Sequence, residues 1–163
     1  MGWLFPRSGE TREANLESFC ASYPYNSRCE DYLSQAGVIA VNSQGNPVAP
    51  SQVLANAQPG NPVPVQGLSN TTYLVIKEGP EIARYGISPV CPHQGCIVDW
   101  KPQQDRFVCP CHGSEFDAQG RVEEGPAINP LPLVTVVAKD NRIRLLKREN
   151  SETNFDPRNQ NYS

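Results

Sequence analysis

An all-β fold is predicted: an antiparallel, sandwich-like β platform with a small subdomain inserted at about residues 88–128. Three observations point there. With 16 Pro and 12 Gly in 163 residues, the chain must make many turns and long connections. Short runs rich in β-branched and aromatic residues recur between turn signals. Such runs lie on both sides of a window that holds both histidines and four of the six cysteines.

Residues 1–35 form a polar N-terminal extension, with a short helix predicted near Glu10–Phe19 and a cysteine-bracketed turn from Cys20 to Cys29. Its opening, Met1-Gly2-Trp3-Leu4-Phe5-Pro6, is apolar but far too short to span a bilayer. It also lacks the basic start and small-residue cleavage site of a signal peptide. Two readings stay open, the stub of a membrane anchor or a disordered terminus. Residues 36–147 form the main domain. Val38-Ile39-Ala40-Val41 reads as a strand, followed by a Pro/Gly/Asn-rich loop through Pro64. Thr72–Lys77 and Glu81–Ile87 are two strands around a Gly79-Pro80 turn, and Pro132–Val137 and Arg142–Leu146 flank the hairpin signal Lys139-Asp140-Asn141. Residues 148–163 are polar and aperiodic, and a loose tail is predicted.

A net charge of −3 without a Lys/Arg cluster gives no electrostatic footprint for nucleic acid. No run approaches 18 apolar residues, so no transmembrane helix is predicted within the sequence.

The chemistry is concentrated in Cys91-Pro92-His93-Gln94-Gly95-Cys96 and Cys109-Pro110-Cys111-His112-Gly113-Ser114-Glu115-Phe116-Asp117. In ligand terms this is C-x-H, fifteen intervening residues, then C-x-x-H. Each short loop offers one thiolate and one imidazole. A two-iron cluster with two cysteines on one iron and two histidines on the other needs ligands of both kinds brought together. A Cys₂His₂ zinc site uses the same inventory, but zinc motifs usually pair like ligands on each half. Cys96 and Cys111 would also be left without a role in such a site.

The stretch from Cys91 to about Val137 resembles the Rieske iron–sulfur proteins of quinol:cytochrome oxidoreductases, the cytochrome bc family and its photosynthetic counterparts. Its hallmarks, a C-x-H-x-G-C loop and a C-P-C-H-G-S loop, are both present. The resemblance covers about a third of the chain. It implies the Rieske fold and a [2Fe–2S] cluster, with Cys91 and Cys109 on the inner iron and His93 and His112 on the outer one. It also implies a disulfide between Cys96 and Cys111 that clamps the two loops. Rieske ferredoxins and aromatic-ring oxygenases typically lack that extra pair. Its presence, together with Cys20 and Cys29, fits an oxidising compartment. Eight residues separate Cys20 from Cys29, close enough to bridge in a small loop, and a second disulfide is predicted there.

Further positions around the cluster follow from the same resemblance. Ser114 matches a serine that donates to a bridging sulfide, and Gly95 and Gly113 match the loop glycines. High-potential members carry a tyrosine two residues after that serine, with its hydroxyl directed at a ligand sulfur. Here the residue is Phe116, which has no donor. Gln94 stands where quinol-oxidising members carry a leucine at the docking tip, and Pro92 replaces the usual threonine. Gly125-Pro126-Ala127 matches the loop shielding the far side of the cluster, with Ile128 where a second proline is common. Trp100 and Phe107 read as ordinary core beneath the cluster loops, Asp117 as the end of a turn, and the sequon Asn70-Thr71-Thr72 as an empty match.

The resemblance therefore implies a one-electron carrier, the extracytoplasmic domain of a membrane-anchored protein on the periplasmic or thylakoid-lumen side. Its partners would be a quinol, cytochrome b, or a soluble cytochrome or copper carrier. Phe116 and Gln94 predict a lowered potential. The alternative is the small Rieske subunit of an arsenite-oxidase-type enzyme.

Overall fold

The computed structural model describes residues 16, 19–20, 23, 26–148 and 156–159. Among the described residues, ten strands form two antiparallel sheets. The larger sheet, the platform, has the order β1-β10-β9-β4-β3-β2. Its strands are β1 (Val38–Ile39), β2 (Val63–Val65), β3 (Thr72–Lys77), β4 (Glu81–Ile87), β9 (Leu133–Lys139) and β10 (Arg142–Lys147). The smaller sheet is β5-β6-β7-β8, from β5 (Asp99–Lys101), β6 (Arg106–Val108), β7 (Glu115–Phe116) and β8 (Val122–Glu124). It enters the chain between β4 and β9, which are hydrogen-bonded neighbours in the platform. The fold is all-β with an inserted subdomain.

Period-two alternation assigns each platform strand two faces. Along β3, Leu74 and Ile76 face a core completed by Ala40, Val53, Val65, Val134, Val136, Ile143 and Leu145. Val75, between them, faces the opposite core with Ala83, Tyr85 and Ile87 of β4. That second core continues into the inserted subdomain through Val98, Phe107, Phe116, Ala127 and Leu131, and it includes Cys91 and Cys109. The candidate ligand cysteines thus sit on the same packed core as the platform. Gly86 sets the spacing in β4, where a Cβ would lie 2.8 Å from Thr72 Cγ2 and 3.0 Å from the Tyr73 carbonyl. Alanine would be overpacked there.

The β9–β10 hairpin closes through Asp140 and Asn141, both at positive φ (54° and 61°), as a two-residue hairpin turn of the primed kind requires. Where the sequence predicts one long loop through Pro64, the chain forms helix Pro50–Asn56 and strand β2. Pro50 begins that helix, where its missing N–H costs nothing, and the Gln52 side chain accepts from the Ala49 N–H at 3.1 Å. Val53 then covers the platform core.

Leu16, Phe19 and Cys20 have helical backbone, while the rest of the predicted Glu10–Phe19 helix and the apolar opening lie outside the described residues. Cys20 and Cys29 are joined (S–S 2.02 Å, Cα–Cα 5.5 Å) and pack with Leu33, Ala36 and Leu146 against β10. Of the predicted loose tail, residues 148 and 156–159 are described. Residues 156–159 pack back onto the molecule, and the Arg158 side chain is buried. Among the described residues, no helix is long and apolar enough to cross a membrane.

Candidate metal centre

Two loops built on one plan rise from the inserted subdomain. In the first, the Cys91 N–H donates to the Cys96 carbonyl (2.7 Å), and the Gly95 N–H returns to the Cys91 carbonyl (2.8 Å). In the second, the Cys109 N–H donates to the Ser114 carbonyl (2.8 Å), and the Gly113 N–H returns to the Cys109 carbonyl (3.0 Å). Both turns close through a glycine at positive φ, 75° at Gly95 and 77° at Gly113. A Cβ at either glycine would meet nothing within 4 Å. The requirement there is backbone conformation, not space.

This plan sends the thiols inward and the imidazoles outward. Cys91 and Cys109 are buried and free of disulfides. His93 and His112 are exposed, and their rings meet edge to face with centroids 5.1 Å apart. Burial pushes the Cys91 thiol above its ordinary pKa, and the neighbouring Cys109 side chain adds to this. The backbone N–H groups of His93 and Gln94 point at the same sulfur and work in the opposite direction. A thiol in this position favours the thiolate only when a cation supplies the compensating charge.

Cys96 and Cys111 tie the loops together (S–S 1.97 Å, Cα–Cα 6.5 Å). The sulfurs of Cys96, Cys109 and Cys111 lie within 4.8 Å of one another. As a metal site this trio fails on chemistry, because a disulfide offers no thiolates. With that pair set aside, the soft donors that remain in the two loops are the two buried sulfurs of Cys91 and Cys109 and the exposed imidazoles of His93 and His112. That is the donor set a mixed Cys₂His₂ two-iron cluster uses.

The surrounding residues are placed as follows. Ser114 is fully buried, and its Oγ accepts from the Ala127 N–H at 2.9 Å. That bond uses one of the two lone pairs of the hydroxyl oxygen, and the hydroxyl proton remains available to donate. Phe116 is fully buried and stands opposite Phe107 across the β6–β7 ladder. Phe107 in turn packs edge-on against Trp100 (4.9 Å) and Tyr73 (5.0 Å). Gln94, Pro126 and Ile128 are exposed, Ile128 to 88%. Asp117 does end a turn, accepting from the Gln119 and Arg121 backbone N–H groups and pairing with the Arg121 side chain. Sequence reading missed Tyr73 beneath the loops and the Ser114–Ala127 bond. Both depend on contacts distant along the chain, which no local pattern announces.

Residues 45–138, more than half of the chain, match the family described as the Rieske [2Fe-2S] domain. The cytochrome b6-f complex iron-sulfur subunit of Gloeobacter violaceus is 43% identical over 111 residues, covering 66% of this chain and 60% of that protein. The same subunit from Prochlorococcus marinus (strain MIT 9312) is 42% identical over 120 residues, covering 73% and 66%. The chain thus spans about three fifths to two thirds of the length of these relatives. The crystal structure of the cyanobacterial plasma membrane Rieske protein PetC3 from Synechocystis PCC 6803 is 31% identical, covering 60% of this chain and 94% of that one at a TM-score of 0.47. The chain belongs to the Rieske family, and its cofactor is a [2Fe–2S] cluster.

Proposed function

We propose that the protein is a one-electron carrier in which Cys91 and Cys109 hold the inner iron and His93 and His112 the outer one. The observation that carries this reading is the paired loop plan, with two buried thiols beneath two exposed, touching imidazoles. When bound, the cluster supplies a one-electron couple. The chain's own part is to hold that couple at the surface and set its potential. The exposed imidazoles put the outer iron where a partner can reach it, and the disulfide holds the two loops in register. The Ala127 N–H keeps the Ser114 hydroxyl oriented, so that its proton can point at the cluster.

The curated relatives are subunits of cytochrome b6-f complexes. That supports work beside a quinol-oxidising cytochrome and a soluble cytochrome or copper carrier, on the extracytoplasmic side of a membrane. Two disulfides support an oxidising compartment. An N-terminal anchor and a main domain of residues 36–147, with a cluster subdomain of about 88–128, belong to the same reading.

The potential is proposed to be lowered. Phe116 brings a packed ring but no donor to the core that contains both ligand cysteines. A hydrogen bond to a charged acceptor is worth about 1.5–3 kcal/mol. If about 1–2 kcal/mol of that distinguishes the redox states, its absence lowers the potential by roughly 40–90 mV. Rieske centres span about −150 to +300 mV, and this one is placed at roughly +100 to +200 mV. Phe116→Tyr is expected to raise the midpoint by roughly 40–90 mV, read by voltammetry on the purified protein. A hydroxyl that found no sulfur would instead sit buried and unpaired, at a cost of about 1–3 kcal/mol in stability. A stability loss without a rise in potential would remove the argument for Phe116.

A further inference from the structure

The C-terminal residues 156–159 return to the inserted subdomain, and Arg158 is the point of attachment. Its side chain is 3% exposed. From Nη1 it donates to the backbone carbonyls of Leu131 (2.8 Å) and Gln119 (3.2 Å). Its Nε and Nη2 pair with the Asp156 carboxylate at 2.8–3.1 Å. Burial pushes the Asp156 carboxyl up, but its hydrogen bonds to Arg158 outweigh this and hold it below its ordinary value. A guanidinium buried without such partners would be strongly unfavourable.

The two carbonyls that Arg158 grips have a definite place in the fold. Gln119 lies in the turn between β7 and β8, and Leu131 lies just before β9. The Leu131 N–H also donates to the Gly120 carbonyl at 2.8 Å. Space there is filled, since a Cβ on Gly120 would lie 3.0 Å from Arg158 Nη1 and 3.1 Å from Leu131 Cβ. Arg158 therefore closes the base of an arm running from 117 to 131. Ala127, on that arm, donates to Ser114 Oγ in the second cluster-binding loop.

We propose that Arg158, oriented by Asp156, is a positioning residue that fixes the arm 117–131 and, through the Ala127–Ser114 hydrogen bond, the cluster-binding loop 109–114. The second half of this proposal rests on the reading of Cys109 and His112 as ligands. Without the guanidinium, the Leu131 and Gln119 carbonyls lose a partner, and the tie between the 119–120 turn and residue 131 rests on the Leu131–Gly120 bond and on the packing of Leu131 in the core.

Hydrogen exchange by mass spectrometry on the iron-loaded protein tests it, with Arg158→Ala and Arg158→Lys beside the wild type. In Arg158→Ala, peptides covering 117–131 are expected to exchange at least about tenfold faster, while those of β9 and β10 keep their rates. The visible circular dichroism of the cluster should change shape, and a chelator should remove iron several-fold faster. Arg158→Lys should fall in between, because an ammonium cannot reproduce the planar fork that meets carboxylate and carbonyls together. Should Arg158→Ala not accumulate as folded protein, Arg158→Lys carries the same comparison. Unchanged exchange over 117–131 overturns the proposal. So does a uniform rise across both sheets, which would make Arg158 a general stabiliser. An effect confined to 117–131 with unaltered cluster dichroism and iron loss overturns its link to the loop. A wild type that binds no iron would instead sink the ligand assignment, while the exchange comparison would still decide whether Arg158 holds the arm.

Discussion

His112→Ala protein is expected to purify colourless, with iron below about a tenth of the wild-type content, since even residues outside the ligand set change metal affinity 10–100-fold. Its platform should remain folded. His112 is exposed, so its removal opens no cavity. The backbone bonds that shape its loop run from Cys109 to Ser114 and from Gly113 to Cys109, and none uses the imidazole. The core on the far face of the platform, from Leu74 to Leu145, contains no residue of that loop. Far-UV circular dichroism should therefore match the wild type. The thermal midpoint should fall to that of iron-free wild type, because only the stabilisation by a bound group is lost. Iron retained at the wild-type level in His112→Ala would contradict the ligand assignment.

Phe107→Ala carries the second large effect. Phe107 is fully buried, edge-on to Tyr73 and Trp100 and across the ladder from Phe116. Truncating such a ring removes its transfer free energy and leaves a cavity, at about 3–5 kcal/mol. The site makes the loss functional as well as structural. Tyr73 belongs to the platform, Phe116 to the cluster subdomain, and Cys109 follows Phe107 by two residues. Chemical denaturation should read the stability loss, and the same preparation should lose iron faster than wild type. A variant within about 1 kcal/mol of wild type, well below the range for such truncations, would contradict this account of Phe107.

What the sequence made legible follows how local each signal is. The two cysteine–histidine loops were readable because spacing, glycine positions and residue types all lie within the 24 residues from Cys91 to Ser114, and their geometry is closed by bonds within each loop. Strands β3, β4, β9 and β10 were readable because each is long enough to show its apolar positions beside a turn. The strands β5 to β8, of two or three residues each, are too short for any periodicity. Helix Pro50–Asn56 was hidden in a segment whose prolines read as loop, although Pro50 with Gln52 is a helix-start pattern. Longer-range features left no trace. Ser114 meets Ala127 13 residues away, and Arg158 meets Leu131 and Gln119 across 27 and 39 residues. In the sequence, Arg158 is one cation in a polar tail. Its role exists only once the chain has turned back.

The ligand set is best tested by pulsed electron spin resonance on the reduced protein, prepared with ordinary and with ¹⁵N-labelled histidine, alongside iron and acid-labile sulfide analysis. Two irons and two sulfides per chain are expected, with nitrogen couplings from two imidazoles that change on labelling and vanish together with the cluster in His93→Ala and His112→Ala. Zinc without iron, or an iron–sulfur signal without imidazole nitrogen coupling, would contradict the assignment of Cys91, His93, Cys109 and His112.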